Sequence, residues 1–408
     1  MKILNLTNEE KNMLQGKQGE MIKKSMEILE TLGDIYGAER MIDINNVHSP
    51  GVSYRVTGDA GLNFVKEAAY KYNSCSKCIM TLNTIGIDYD KADELGFSKE
   101  FQEKQHELLK AYESIGAIGT YTCTPYLISN LPRYGEHIAW GESSAVAFAN
   151  SVIGARTNRE GGPTALAVAL TGKAPAYGFH LDENRFGDFL VNVEIELNND
   201  SEYGALGYYV GQIVGDKVPI FDGIKNPTLE NLKALSAALA SSGAVALYHI
   251  KGITPEVIKN GNMLKENYEN ITYGKEEKEE VLNKFSNKGK VDMVLFGCPH
   301  TSIDELKRIA LNLKNKNFLS EVWINTSQPI ASLGERLGYN KIIEKSGAKI
   351  VTDTCPVLSE TVRDYDLMLT NSAKMAHYAP GLWNLTTTLL SLEEIIEAAV
   401  KGYWGGNI

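Results

Sequence analysis

The 408 residues are 43% apolar and 23% charged, with 51 acidic side chains against 41 basic ones and a net charge of −10, a length that predicts two or three packed cores. The acidic balance argues against a nucleic-acid partner, and nowhere do about 18 apolar residues run uninterrupted, so no membrane partner is expected. No apolar leader precedes the first acids, which reads as a cytoplasmic chain, and five cysteines are too few and too odd for a disulfide framework.

In chain order, a helix is expected from Thr7 to Gly33, opened by a capping box of Thr7 and Glu10. Short mixed segments follow: Met41-Ile-Asp-Ile, a loop from His48 to Ser53, a helix near Gly61 to Tyr72, and a strand from Lys77 to Leu82. This alternation predicts α/β organisation. Between Gly119 and Arg185 lie the turn-rich Thr122-Cys-Thr-Pro-Tyr126, a small-residue helix from Ser143 to Ala155, and Arg156-Thr-Asn-Arg-Glu-Gly-Gly-Pro163. A charged stretch from Thr254 to Lys288 reads as a helical excursion.

From Val291 on, strands and helices alternate. Strands are expected at Val291 to Gly297, Glu321 to Asn325, Ala348 to Asp353 and Asp366 to Thr370. The intervening helices are Ser302 to Lys314, Leu333 to Ser346 and Val357 to Arg363. Repeated βαβ units imply a parallel sheet. The expected division is an N-terminal α/β domain over 1–135, a middle α/β domain with the helical excursion over 136–288, and a C-terminal parallel α/β domain over 289–408.

Cys298 and Cys355 each follow a predicted strand and precede a proline, and Cys123 repeats the pattern after Ala117-Ile-Gly-Thr-Tyr-Thr122. Loops at the carboxyl ends of parallel strands converge on ligands, so three thiols placed there can share one metal centre. Thiolates select iron-sulfur clusters or zinc. A four-iron cluster on three cysteines leaves one iron open as a Lewis acid for a hydroxyl and a carboxylate, whereas an electron carrier normally uses four. Any one of these cysteines is as readily a small buried hydrophobe, and the shared setting is what favours a site. Cys75 and Cys78 form the single C-x-x-C; with no second pair to complete a zinc site, they read as packing residues, a redox pair being the alternative.

Several segments carry a resemblance: His48-Ser-Pro-Gly-Val-Ser-Tyr54, Thr120-Tyr-Thr-Cys-Thr-Pro-Tyr126, Gly135-Glu-His-Ile-Ala-Trp-Gly-Glu-Ser-Ser-Ala145, Ala149-Asn-Ser-Val-Ile-Gly-Ala-Arg-Thr-Asn-Arg159, Gly297-Cys-Pro-His300 and Asp353-Thr-Cys-Pro356. Together they resemble the large subunit of the aconitase X family over nearly the whole chain. The resemblance implies an aconitase-like, multi-domain α/β fold whose parallel βαβ sheets converge on a cluster site. It makes Cys123, Cys298 and Cys355 ligands of an iron-sulfur cluster, 4Fe-4S with 2Fe-2S as the alternative.

By the same resemblance Gly51, Val52, Ser53 and Asn83 are substrate-contact positions, and Thr84 stands where relatives carry proline. Glu142, Ser143 and Lys374 match further active-site positions and are taken as catalytic. Each has an ordinary alternative: a turn for Gly51 to Ser53, a helix cap for Glu142 and Ser143, a surface charge for Lys374. Arg156 and Arg159 are candidate substrate-binding cations, since a guanidinium fork matches carboxylate or phosphate; ion pairs with Asp182, Glu183 or Glu160 are the alternative. Of His180, His249, His300 and His377, only His300 is expected near the cluster.

The implied activity is hydro-lyase dehydration of a small hydroxy-carboxylate, (R)-5-phosphomevalonate or, as the alternative, cis-3-hydroxy-L-proline. Such a reaction needs a base for the Cα proton, a sink for the developing carbanion and help for the departing hydroxide. In aconitase-like enzymes the base is a serine on a swivelling domain, which in this family is a small subunit, fused or separate. The chain closes on Gly402-Tyr-Trp-Gly-Gly-Asn-Ile408, so the base is expected from a separate small subunit in a heterodimer, leaving this chain nearly inactive alone. A non-catalytic ligand-binding or sensor protein is the reading from another class. A nicotinamide oxidoreductase is disfavoured because no G-x-G-x-x-G follows a strand into a helix.

Overall fold

Five parallel strands late in the chain frame the site, and their spatial order is Lys349–Thr352, Glu321–Thr326, Met293–Phe296, Leu367–Thr370 and Thr386–Leu389. The computed structural model describes residues 4–313, 316–358 and 365–405. Side chains along these strands alternate between two cores. Met293 and Leu295 enter the core shared with the N-terminal third, while Val294 and Phe296 enter the one beneath helices Ile303–Asn312 and Leu392–Lys401. Burial on both faces is why the sequence reads here as unbroken apolar runs. The order reverses beside Met293–Phe296, and such a switch point opens a crevice at the carboxyl ends.

A second parallel sheet belongs to the N-terminal third, with Ile79–Leu82, Asn46–Ser49 and Ala139–Trp140 in that order and single bridges to Ile118, Arg156 and Arg159. Helices Glu20–Tyr36, Lys99–Ile115 and Gly162–Thr171 cover it within one core. A third parallel sheet orders His249–Ile250, Pro219–Asp222, Gly187–Val193 and Leu264–Tyr273, packed on helices Asp200–Val214 and Leu229–Ser242. The α/β class with parallel sheets is the one expected. Among the described residues no helix is long and apolar enough to cross a membrane.

Details differ from expectation for physical reasons. The first helix is two, Asn8–Leu14 and Glu20–Tyr36, because Gly16 and Gly19 adopt φ of +75° and +107° between them. Its capping box of Thr7 and Glu10 forms as expected. The charged stretch is not wholly helical: Leu264–Tyr273 is an edge strand whose first seven residues are mostly exposed, so its charges gave no alternation to read. The helix expected from Leu333 to Ser346 is Gln328–Arg336 and Tyr339–Lys345, divided at Gly338. Of the turn expected over Val357 to Arg363, Val357 and Leu358 lie in a short 3-10 turn, and residues 359–363 are outside the described residues. The segment from Ala139 to Thr171, assigned from sequence to the middle domain, adds a strand and a helix to the N-terminal sheet and core.

Candidate active site

The carboxyl ends of two parallel sheets face one cavity of about 290 Å³. From the N-terminal sheet, Ser49 leads into Gly51, Val52 and Ser53, Leu82 into Asn83 and Thr84, and Trp140 into Glu142 and Ser143, all of which line it. From the C-terminal sheet, Thr352 leads into Cys355 and Thr370 into Lys374, which close the other side. The Gly51 to Ser53 loop is fixed from beneath by buried Gln105, which donates to the Val52 carbonyl at 2.7 Å and accepts from the Tyr54 N–H at 2.8 Å. Eight expected substrate or catalytic positions thus share a wall with one expected ligand thiol.

Glu142 is the most heavily engaged group in this wall. Its Oε1 accepts from Lys374 Nζ at 2.7 Å and Ser144 Oγ at 3.0 Å, and its Oε2 accepts from Asn83 Nδ2 at 3.0 Å. Burial pushes the Glu142 carboxyl up, but the Lys374 charge and these three donors outweigh it and hold the group down at about 2. Burial likewise disfavours the Lys374 ammonium, and Glu142 overrides it, so Lys374 stays charged. Neither group is free to exchange protons near neutrality, which suits them to orienting a substrate and not to acting as its base. Ser53 Oγ is buried without a partner among the described residues, as expected where a polar ligand completes the shell.

Cys123, Cys298 and Cys355 gather beside this wall from three separate loops. Every pair of the three lies within electrostatic influence, and each thiol also senses Glu142 and Lys374. Burial pushes all three up, Cys298 to about 11 and the other two to about 12, so as thiolates they need a cationic centre. Among the described residues no three His, Cys, Asp or Glu side chains converge closely enough for a single ion. Three buried thiols within electrostatic reach of one another fit a multinuclear cluster better than a single ion.

The two arginines part company. Arg156 donates to the His180 carbonyl at 3.1 Å and to Asp182, and its guanidinium also lies 3.8 Å from Glu256, so it is an ion-pairing residue outside the cavity wall. Arg159 meets only the Ala244 carbonyl, at 3.4 Å, and no carboxylate pairs with it among the described residues. It too stands outside the cavity wall, but its charge is felt by Glu142 and by Tyr378, which line the cavity. Cys78 is buried with its thiol 3.0 Å from the Ile44 carbonyl, Cys75 is exposed, and both are unpaired.

His300 lies among the thiols, whereas His249 bonds the Arg185 carbonyl in the middle unit, His180 pairs with His137 and His377 meets Tyr208. Sequence reasoning missed Tyr378, Val56 and Leu358, which also line the cavity. Tyr378 stands four residues after Lys374 on helix Ala373–Trp383, the spacing that places two side chains on one face.

Family models described as the aconitase X first, second and third domains match residues 3–183, 187–283 and 291–401. The phosphomevalonate dehydratase large subunit of Methanothermobacter thermautotrophicus is 46% identical over 383 residues, covering 93% of this chain and 95% of that protein. That of Methanocaldococcus jannaschii is 44% identical over 402 residues, covering 96% and 99%. The cis-3-hydroxy-L-proline dehydratase of Hypocrea jecorina is 34% identical over 419 residues, covering 98% of this chain and 69% of that longer protein. The crystal structure of Thermococcus kodakaraensis aconitase X in its holo-form superposes with a TM-score of 0.89 at 41% identity, covering 97% of this chain and 100% of that one.

Proposed function

The chain belongs to the aconitase X family, and from that premise we propose that it is the large subunit of an iron-sulfur hydro-lyase whose substrate is (R)-5-phosphomevalonate. The observation that carries this reading is the single cavity in which Gly51 to Ser53, Asn83, Glu142, Ser143 and Lys374 meet Cys355, with Cys123 and Cys298 behind it. Cys123, Cys298 and Cys355 would hold the cluster, 4Fe-4S by preference, since three thiol ligands leave one iron open. When bound, it supplies a Lewis acid for the substrate hydroxyl and carboxylate.

The chain's own residues do the rest. Lys374 offers an ammonium to the carboxylate on which carbanion charge develops, and Glu142 with Asn83 fixes that ammonium's position. Gly51, Val52 and Ser53 present a polar loop to the substrate's anionic end, with Thr84 lining the same cavity. With Glu142 fully engaged, the proton acceptor comes from elsewhere, which supports a small subunit contributing a serine base over the cavity. The relatives named as large subunits support the same assembly.

Arg159 favours the phosphorylated substrate over cis-3-hydroxy-L-proline, because it is a cation near Glu142 and Tyr378 with no carboxylate partner among the described residues. The test is anaerobic co-purification with the candidate small subunit, counting of iron and sulfide, and water-elimination assays on both substrates. Expected are turnover of phosphomevalonate and a KM for it raised about 10- to 100-fold by Arg159→Met, the effect of one charged hydrogen-bonding partner. Preferential turnover of hydroxyproline, or turnover by this chain alone at about 1 per second or faster, would overturn the reading.

A further inference from the structure

One buried residue ties all three thiol-bearing loops together. His300 is 1% exposed and follows Cys298 by two residues. Its backbone N–H donates to Cys123 Sγ at 3.2 Å, its Nδ1 lies 3.1 Å from Thr122 Oγ1, and its Nε2 lies 2.9 Å from the carbonyl oxygen of Thr354, the neighbour of Cys355. The His300 carbonyl accepts from buried Lys233 Nζ at 2.9 Å. All four of its polar atoms are engaged.

The hydrogen bonds fix the tautomer. A carbonyl only accepts, so Nε2 carries the ring proton towards Thr354. Nδ1 is then the acceptor, and Thr122 Oγ1–H donates to it. Thr122 Oγ1 in turn accepts from the Thr124 N–H at 3.1 Å, and the Thr124 hydroxyl lies 3.1 Å away to donate as well. Both ring nitrogens are committed to protein, so His300 is no metal ligand.

We propose that His300 is the positioning residue of the metal centre, holding the loops of Cys123, Cys298 and Cys355 at the separation a cluster needs before iron arrives. This rests on the reading of those three thiols as cluster ligands. The physical ground is preorganisation. Three flexible loops would lose conformational freedom on meeting the metal, whereas loops already joined through one imidazole have lost it on folding. Removing partners that orient metal ligands typically costs about 10- to 100-fold in metal affinity.

The test uses the full chain reconstituted anaerobically with iron and sulfide, reading iron and sulfide per chain, the rate of iron loss to a chelator, and the paramagnetic spectrum of the reduced cluster. His300→Ala is expected to lose iron about 10- to 100-fold faster than wild type, with a shifted spectrum. His300→Gln, whose amide can still donate to the Thr354 carbonyl, should recover most of the retention, and Thr122→Val should fall between. If His300→Ala does not fold, the Gln and Val variants carry the comparison.

Equal retention and unchanged spectra in every variant would overturn the role of His300 while leaving the ligand assignment standing. Cys298→Ser is the control for that assignment and should lose the cluster outright. A wild-type chain that takes up no sulfide would remove the ligand assignment, and this inference with it.

Discussion

Lys374 and Glu142 hold each other in a place neither would occupy alone, their side chains only 13% and 15% exposed. Replacing Lys374 with Met leaves a buried carboxylate without its cation, and the expected cost is about 3 to 5 kcal/mol in urea unfolding. Adding Glu142→Gln should return most of that stability while activity stays lost, which separates folding from chemistry. Glu160 makes the opposite case. Burial is the only influence on its carboxyl and raises it from 4.5 to about 7. The folded state therefore prefers the protonated form, so the group's stabilising contribution is present below about pH 4.5 and is lost as pH rises through about 7. Glu160→Gln should stabilise the chain by on the order of 3 kcal/mol at pH 8 and by nothing near pH 4, read as the difference in melting between the two proteins. Residues of this kind were unevenly legible: Cys298 and Cys355 announced themselves by their strand-end setting before proline, whereas the strand expected before Cys123 is reduced to a single bridge at Ile118. Arg156 is held by Asp182, one of the partners the sequence offered, and by Glu256, which no spacing placed beside it.

The C-terminal strands were legible because both faces are buried, leaving runs such as Met293–Phe296 with no polar interruption. Leu264–Tyr273 escaped notice for the converse reason, since an exposed edge strand has no core face to print a pattern. Breaks within helices were also hidden, because Gly338 adopts its left-handed turn in a segment otherwise rich in helix formers. The loop after Met293–Phe296 is the least tolerant element of the site. Gly297 has φ of +89°, and a Cβ there would stand 2.0 Å from the Asn325 carbonyl oxygen. Gly297→Ala is expected to destabilise the chain by about 3 kcal/mol or more, seen as a lowered thermal midpoint, because strain and collision add.

Across the whole molecule, buried polar ties join segments that the sequence separates. Arg185 is 0% exposed and donates to Glu256 Oε2 at 2.7 Å and to the carbonyls of Asn150, Ala155 and Phe179 at 3.0, 3.2 and 3.0 Å. Arg185→Met should cost about 3 to 5 kcal/mol in urea unfolding, and Glu256→Gln in the same chain should recover part of it, since the larger penalty is the stranded carboxylate. The parallel α/β class was legible from repeated βαβ spacing. The way Ala139–Trp140 returns to the N-terminal sheet was not, because a two-residue strand carries no periodicity.

The contact between His300 and Cys123 spans 177 positions of chain. During synthesis, Cys123 leaves the ribosome long before either companion thiol of its pocket exists outside it. On the proposed ligand assignment the centre can be completed only after Cys355 has emerged, so chains made under iron shortage are expected to be folded and to take up iron when it is supplied afterwards.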